Sequence, residues 1–129
     1  MKQSKGIILR ESFYSVKQTI DRLAAFLKEH GVTIYARIDQ QAELQKAGLD
    51  IPALEFLLFG NPKAGGPMMI ENPVAALDLP LKIIAWEDDK KKVFIAYNDA
   101  LYIEERHGLA QNANSPLNLD GLISAALKD

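Results

Sequence analysis

Gly60-Asn61-Pro62-Lys63-Ala64-Gly65 has the two glycines of a phosphate-binding loop at the right separation. Gly66-Pro67 stands where that loop needs lysine and then serine or threonine. No lysine is placed for a distal phosphate and no hydroxyl for magnesium, which argues against a nucleotide triphosphatase. A weaker chemistry remains: free amides of the turn, the start of the next short helix and Lys63 could together hold a small anion. The plainer alternative is a turn whose Asn-Pro and Gly-Gly pairs only redirect the chain.

A second polar cluster runs from Tyr97 to His107. Asn98 or Asp99 suits the N-cap of a following helix. Tyr102 and Arg106 lie one helical turn apart, as do Glu104 and His107. Glu104 and His107 could begin a metal site, but further ligands are missing and His30 belongs to another helix end, so no metal or cofactor is expected. The serines at 4, 12, 15, 115 and 124 form no Gly-x-Ser-x-Gly elbow. Glu55 enters an otherwise apolar segment. It reads most simply as an exposed strand start; if buried, Arg37 or Lys82 would have to balance it. Met68, Met69 and Trp86 read as core or interface rather than a cofactor box.

The elements that must position these groups follow from periodicity. Residues 5–13 read as a first strand. Ser15 and Gln18 make a capping box for a helix with Val16, Ile20, Leu23 and Leu27 on one stripe, stopped at Gly31. Residues 32–39 alternate, with Val32, Ile34, Ala36 and Ile38 on one face and Thr33, Tyr35, Arg37 and Asp39 on the other. A short helix over residues 40–47 ends at Gly48, and residues 53–59 form a third strand, apolar on both faces and central in its sheet. Short helical turns over 67–72 and 73–78 precede a hairpin, 81–87 and 93–97, across the run Asp88-Asp89-Lys90-Lys91-Lys92. Helices over 99–107 and 119–127 follow, separated by a polar, mobile linker over 111–116.

The 129 residues indicate one α+β domain over 1–129: a two-layer, about five-stranded, mostly antiparallel sheet with helices on one face. The first strand–helix–strand unit reads as a short crossover, right-handed if its strands are parallel. Helices on one face leave the other apolar and short of cover, so a partner is expected there, most simply a second copy in a homodimer. Cysteine is absent, which excludes disulfides and thiolate chemistry and suits the reducing cytoplasm. A net charge of −2 without a basic stripe argues against nucleic acid. No segment has the length of a signal-peptide core or a membrane span.

Phe59-Gly60-Asn61-Pro62, Asp78-Leu79-Pro80-Leu81-Lys82 and Tyr97-Asn98-Asp99 in combination resemble the domain of unknown function 302 family, over about residues 7–107. The family pattern continues Ile38-Asp39 with histidine, where this chain has Gln40, and follows Asn98-Asp99 with proline, where it has Ala100. The resemblance implies a fold similar to one half of the TATA-binding-protein architecture, often dimeric. It supplies no activity. Carried over by matching motif, Asn61, Pro62, Lys63, Gly65, Asp78, Lys82, Asn98, Asp99 and Arg106 are the positions to watch. Their polar members are expected to meet in one cleft where the glycine segment reaches the hairpin. Three functions compete: a homodimeric binding module for a small anionic or polar ligand at residues 60–66, an enzyme using Asp39, Asp78 or His107 as general acid or base, and an interaction protein using its open sheet face.

Overall fold

The computed structural model describes residues 5–110 and 115–128. The linker expected at 111–116 therefore lies outside the described residues as far as residue 114. Strands β1 (Ile7–Ser12), β2 (Thr33–Asp39), β3 (Leu54–Gly60), β4 (Leu81–Glu87) and β5 (Val93–Asn98) form one sheet in the order β1-β5-β4-β3-β2. Every neighbouring pair is antiparallel. Helices α1 (Val16–Glu29), α2 (Gln40–Lys46), α3 (Pro62–Glu71), α4 (Ala100–Arg106) and α5 (Asp120–Ala126) complete the fold, with a 3-10 turn at Pro73–Leu77.

Helix α1 has the expected capping box: Ser15 Oγ accepts from Gln18 N, and Gln18 Oε1 accepts from Ser15 N. It stops before Gly31, whose φ is +77°, a conformation that glycine adopts without a Cβ penalty. The crossover it makes is not short. Strands β1 and β2 point the same way but stand at opposite edges, so α1 must cross the whole sheet. Its 14 residues reach about 21 Å, enough for the four strand spacings of about 4.8 Å beneath it.

Ile20, Leu23 and Leu27 of α1 are fully buried against Leu57, Ile83 and Ile95 of the sheet, with Ile123 and Ala126 of α5 completing the same core. Fully burying one such side chain contributes about 1.5–3 kcal/mol. Ala75, Leu79, Ala100 and Ile103 form a second, smaller core with Leu109 and Leu117. It joins the segment after α3 to α4.

The other sheet face carries Leu58 and Phe56 from β3, Ile84 and Trp86 from β4, and Phe94 and Ala96 from β5, none of them in either core. All except Phe56 are half-buried. Strand β3 is interior as expected, although β4 is the middle strand.

Strand β2 departs from its expected alternation. Ile34 pairs with Phe59, but Ala36 pairs with Leu58 and Arg37 with Leu57, so Tyr35 is an extra residue in a β-bulge. The bulge flips the register, putting Arg37 and Asp39 on the face of Ile34 and moving Ala36 and Ile38 to the open face. Glu55 is accordingly not an exposed strand start. It is 9% exposed and accepts from Arg37 Nε at 3.0 Å, while Arg37 Nη1 reaches Asp21 on α1 at 2.6 Å. Desolvation opposes charge on Arg37, but the bonds to Asp21 and Glu55 outweigh it and raise its pKa. Lys82 is not the partner of Glu55; it lies over the Phe56 ring on the open face.

Tyr97 ties α5 to the sheet, its hydroxyl donating to Asp120 Oδ1 at 2.7 Å. Burial, then the hydrogen bond and the Asp120 charge, push the phenol above its ordinary value near 10. The native protein thus keeps a proton that the unfolded chain loses, and stability should fall as pH rises past about 10, by up to about 1.4 kcal/mol per pH unit from this one group. Urea midpoints between pH 9 and 11.5 should show that slope and its reduction in Tyr97→Phe. Equal slopes would mean that the phenol does not contribute.

Candidate functional site

The glycine segment is not a turn. Asn61 caps α3, which begins at Pro62 and contains Gly65, Gly66 and Pro67, so the helix starts five residues earlier than the sequence suggests. Pro62 at the first helical position has its φ already suited to the helix, and Asn61 Oδ1 accepts from Lys63 N at 3.0 Å. The amides of Ala64 and Gly65 both bond Asn61 O, at 2.9 and 2.8 Å. The donors expected to hold an anion are therefore engaged within the helix, and Lys63 is exposed. An anion cradle built from free amides is not what this segment forms.

It forms one wall of a cavity of about 290 Å³. Pro62, Ala64, Gly65 and Met69 line it from α3, and Leu79 and Leu81 from the approach to β4. Leu117 and Leu119 from the segment leading into α5, and Leu122 from α5 itself, close it. The polar tips in the lining belong to His30, Tyr35 and Asn61, all exposed residues, whereas Val32, Leu79 and Leu117 are buried. Polar groups therefore gather toward solvent and apolar ones lie deep. Tyr35 is there because of the bulge, and its Cε2 lies 3.7 Å from where a Cβ on Gly60 would stand. Among the described residues, no acidic or basic side chain apart from His30 lines the space.

The remaining motif positions do not meet there. Asp78 receives Arg106 Nη1 at 3.0 Å and His107 Nε2 at 2.6 Å, and Asn72 Nδ2 donates to His107 O at 2.9 Å. These bonds brace the segment between α3 and β4 against the end of α4, with the His107 side chain only 3% exposed. Lys82 and Asn98 border a separate small depression between β4, β5 and α5. Asp99, rather than Asn98, caps α4 through Leu101 N, and Asp39 caps α2 through Ala42 N. The expected single cleft is thus three places: Asn61 and Gly65 at the cavity, Asp78 and Arg106 in the brace, and Lys82 with Asn98 beside the hairpin.

Glu104 and His107 do not form a metal pair. His107 turns to Asp78, Glu104 is buried with its Oε2 unbonded among the described residues, and no metal-binding cluster of His, Cys, Asp and Glu occurs among those residues.

A sequence model of the family described as "Domain of unknown function DUF302" matches residues 8–125. Two curated relatives, each called "Fluoride-specific ion channel FluC 1", from Brucella suis biovar 1 (strain 1330) and Brucella abortus biovar 1 (strain 9-941), are 38% identical over 109 residues. Those residues are 84% of this chain but 43% and 40% of the two relatives, so the chain spans about two fifths of their length. The crystal structure of an uncharacterized conserved protein DUF302 from Bacillus stearothermophilus superposes with a TM-score of 0.77 over 96% of this chain and 97% of that one. At 19% identity this likeness shows the fold.

Proposed function

The chain belongs to the domain of unknown function DUF302 family, and from that premise we propose that it is a binding module taking a small, largely apolar molecule into the cavity beside α3. One observation carries this: the glycine-bearing wall, the bulged Tyr35 and the Leu117–Leu122 segment enclose about 290 Å³, with an apolar interior and a few polar tips at its mouth. Small-molecule sites share that composition and begin near this size, at about 300 Å³. Acid–base catalysis has less support. Asp39 is a helix cap, and Asp78 and His107 bind one another away from the cavity.

The fluoride-channel activity named for the curated relatives belongs to proteins about twice this length and is not proposed for the chain alone. No helix among the described residues is long and apolar enough to cross a membrane. The absence of cysteine supports a reducing compartment such as the cytoplasm.

A thermal-shift screen of compact apolar and amphiphilic molecules tests the proposal. A ligand bound only by the native state adds about 2.7 kcal/mol at a hundredfold excess over Kd, a rise on the order of 10 °C for a domain of this size. Ala64→Phe, which fills the cavity from a partly exposed helix position, should abolish that rise without lowering the unliganded midpoint by more than a few degrees. Ligands that bind this variant equally well would place their site elsewhere.

A second reading rests on the open sheet face. We propose that a second copy covers it. Five strands about 4.8 Å apart and about seven residues long give a face roughly 24 by 23 Å, comparable to one side of a standard interface of about 800 Å² per partner.

A further inference from the structure

We infer that the ligand of the cavity is a monocarboxylate, with its carboxylate at the mouth between His30, Tyr35 and Asn61 and a compact apolar body inside. This rests on the cavity being a binding site and adds the chemistry of its occupant. The bonds that each of these side chains already makes determine what it can still offer. Asn61 Oδ1 is held by Lys63 N at 3.0 Å, which orients the amide and leaves its two Nδ2 hydrogens as donors. His30 Nδ1 lies 2.9 Å from Phe26 O, and a carbonyl only accepts, so this nitrogen carries a proton. The ring is also stacked on Phe26, with centroids 4.4 Å apart, leaving Nε2 as its free position. The Tyr35 hydroxyl makes no hydrogen bond among the described residues, and its ring is turned to the mouth by the bulge.

The mouth therefore offers two donors that are set by geometry alone, Asn61 Nδ2 and Tyr35 Oη. A carboxylate answers both, because its two oxygens accept about four hydrogen bonds and only accept. An amine would find no anion, since no aspartate or glutamate among the described residues lines the cavity. An alcohol could satisfy at most part of the set. The deep wall of Val32, Met69, Leu79, Leu81 and Leu117 has nothing to pair with a second charge, which restricts the ligand to one acidic group.

Three matched series separate the head from the body: phenylalkanoates from phenylacetate to 4-phenylbutanoate, the corresponding alcohols and the corresponding amines, titrated calorimetrically into the whole chain. The best carboxylate should bind at least about tenfold tighter than its alcohol, and the amine more weakly still. Asn61→Asp is the decisive variant. Its carboxylate can still cap α3, so the fold is kept, but the two donors become a negative charge. It should weaken the carboxylate at least about tenfold while leaving the alcohol within about threefold. Tyr35→Phe should cut the carboxylate preference in the same direction. If alcohol and carboxylate bind alike, or Asn61→Asp changes neither, the head-group assignment fails and the cavity proposal stands. If no member of any series binds and the broader screen is also empty, both are overturned.

Discussion

Gly6→Ala should destabilise the fold by about 3 kcal/mol, lowering the melting point on the order of 10 °C. Two independent costs combine at this position. Its φ is +76°, where any Cβ adds strain. The Tyr102 ring also occupies the place of the new atom: an ideal Cβ would lie 2.3 Å from Cγ and 2.5 Å from Cδ1, well inside van der Waals contact. Neither side can move freely, because Gly6 O accepts from Asp99 N at 2.8 Å and Asp99 caps the helix that carries Tyr102. Truncating the ring should recover part of the loss, so a Gly6→Ala/Tyr102→Ala double-mutant cycle read by urea midpoints should show coupling of about 1–2 kcal/mol. Additive effects would mean that the ring does not rest on the glycine.

Ile84→Lys should abolish the proposed pairing of two copies through the open sheet face. Ile84 lies on the middle strand of the open face and is half-buried in the single chain. In the single chain its replacement exposes an ammonium to water, and the midpoint of the monomer should move by less than about 1 kcal/mol. At the centre of a face covered by a second copy, the same ammonium would be desolvated without a partner, at a cost of several kcal/mol per ion. Light scattering at micromolar concentration should therefore give twice the chain mass for the natural sequence and the single mass for the variant. A natural sequence that is monomeric at 100 micromolar would remove the dimer from consideration.

Much of the architecture was legible because short-range physics decided it. Ser15 and Gln18 announce the start of α1, and the stripe Leu119, Leu122, Ile123, Ala126 and Leu127 announces a docked helix. Asp88 is where the hairpin turns, its Oδ1 accepting from Lys90 N and Lys92 N. What was hidden depended on pairing between distant residues. Nothing in Thr33–Asp39 signals that Tyr35 is the surplus residue, since the extra residue is defined only against Phe59 and Leu58 of the facing strand. The start of α3 was missed because two glycines and an internal proline lower helix propensity, and the Asn61 cap with Pro62 at the first position overrides them. The cavity could not be read at all, because its walls come from four separate stretches between His30 and Leu122. Of the site positions named from motifs, Asn61, Pro62 and Gly65 reach it; Asp78 and Arg106 instead hold its neighbourhood together.

The placement of β1 and β2 at opposite edges governs how the chain can assemble. Ile7 pairs across from Asn98, so the first strand has no neighbour until nearly the last one has been synthesised. On the ribosome, β2, β3 and β4 can zip together in sequence while β1 and the start of α1 wait. High contact order of this kind places folding in the slower range of small domains, where loop closure limits the rate. Until β1 arrives, the outer edge of β5 is an unpaired template for another nascent chain, and the insertion of the first strand is the step that covers that edge.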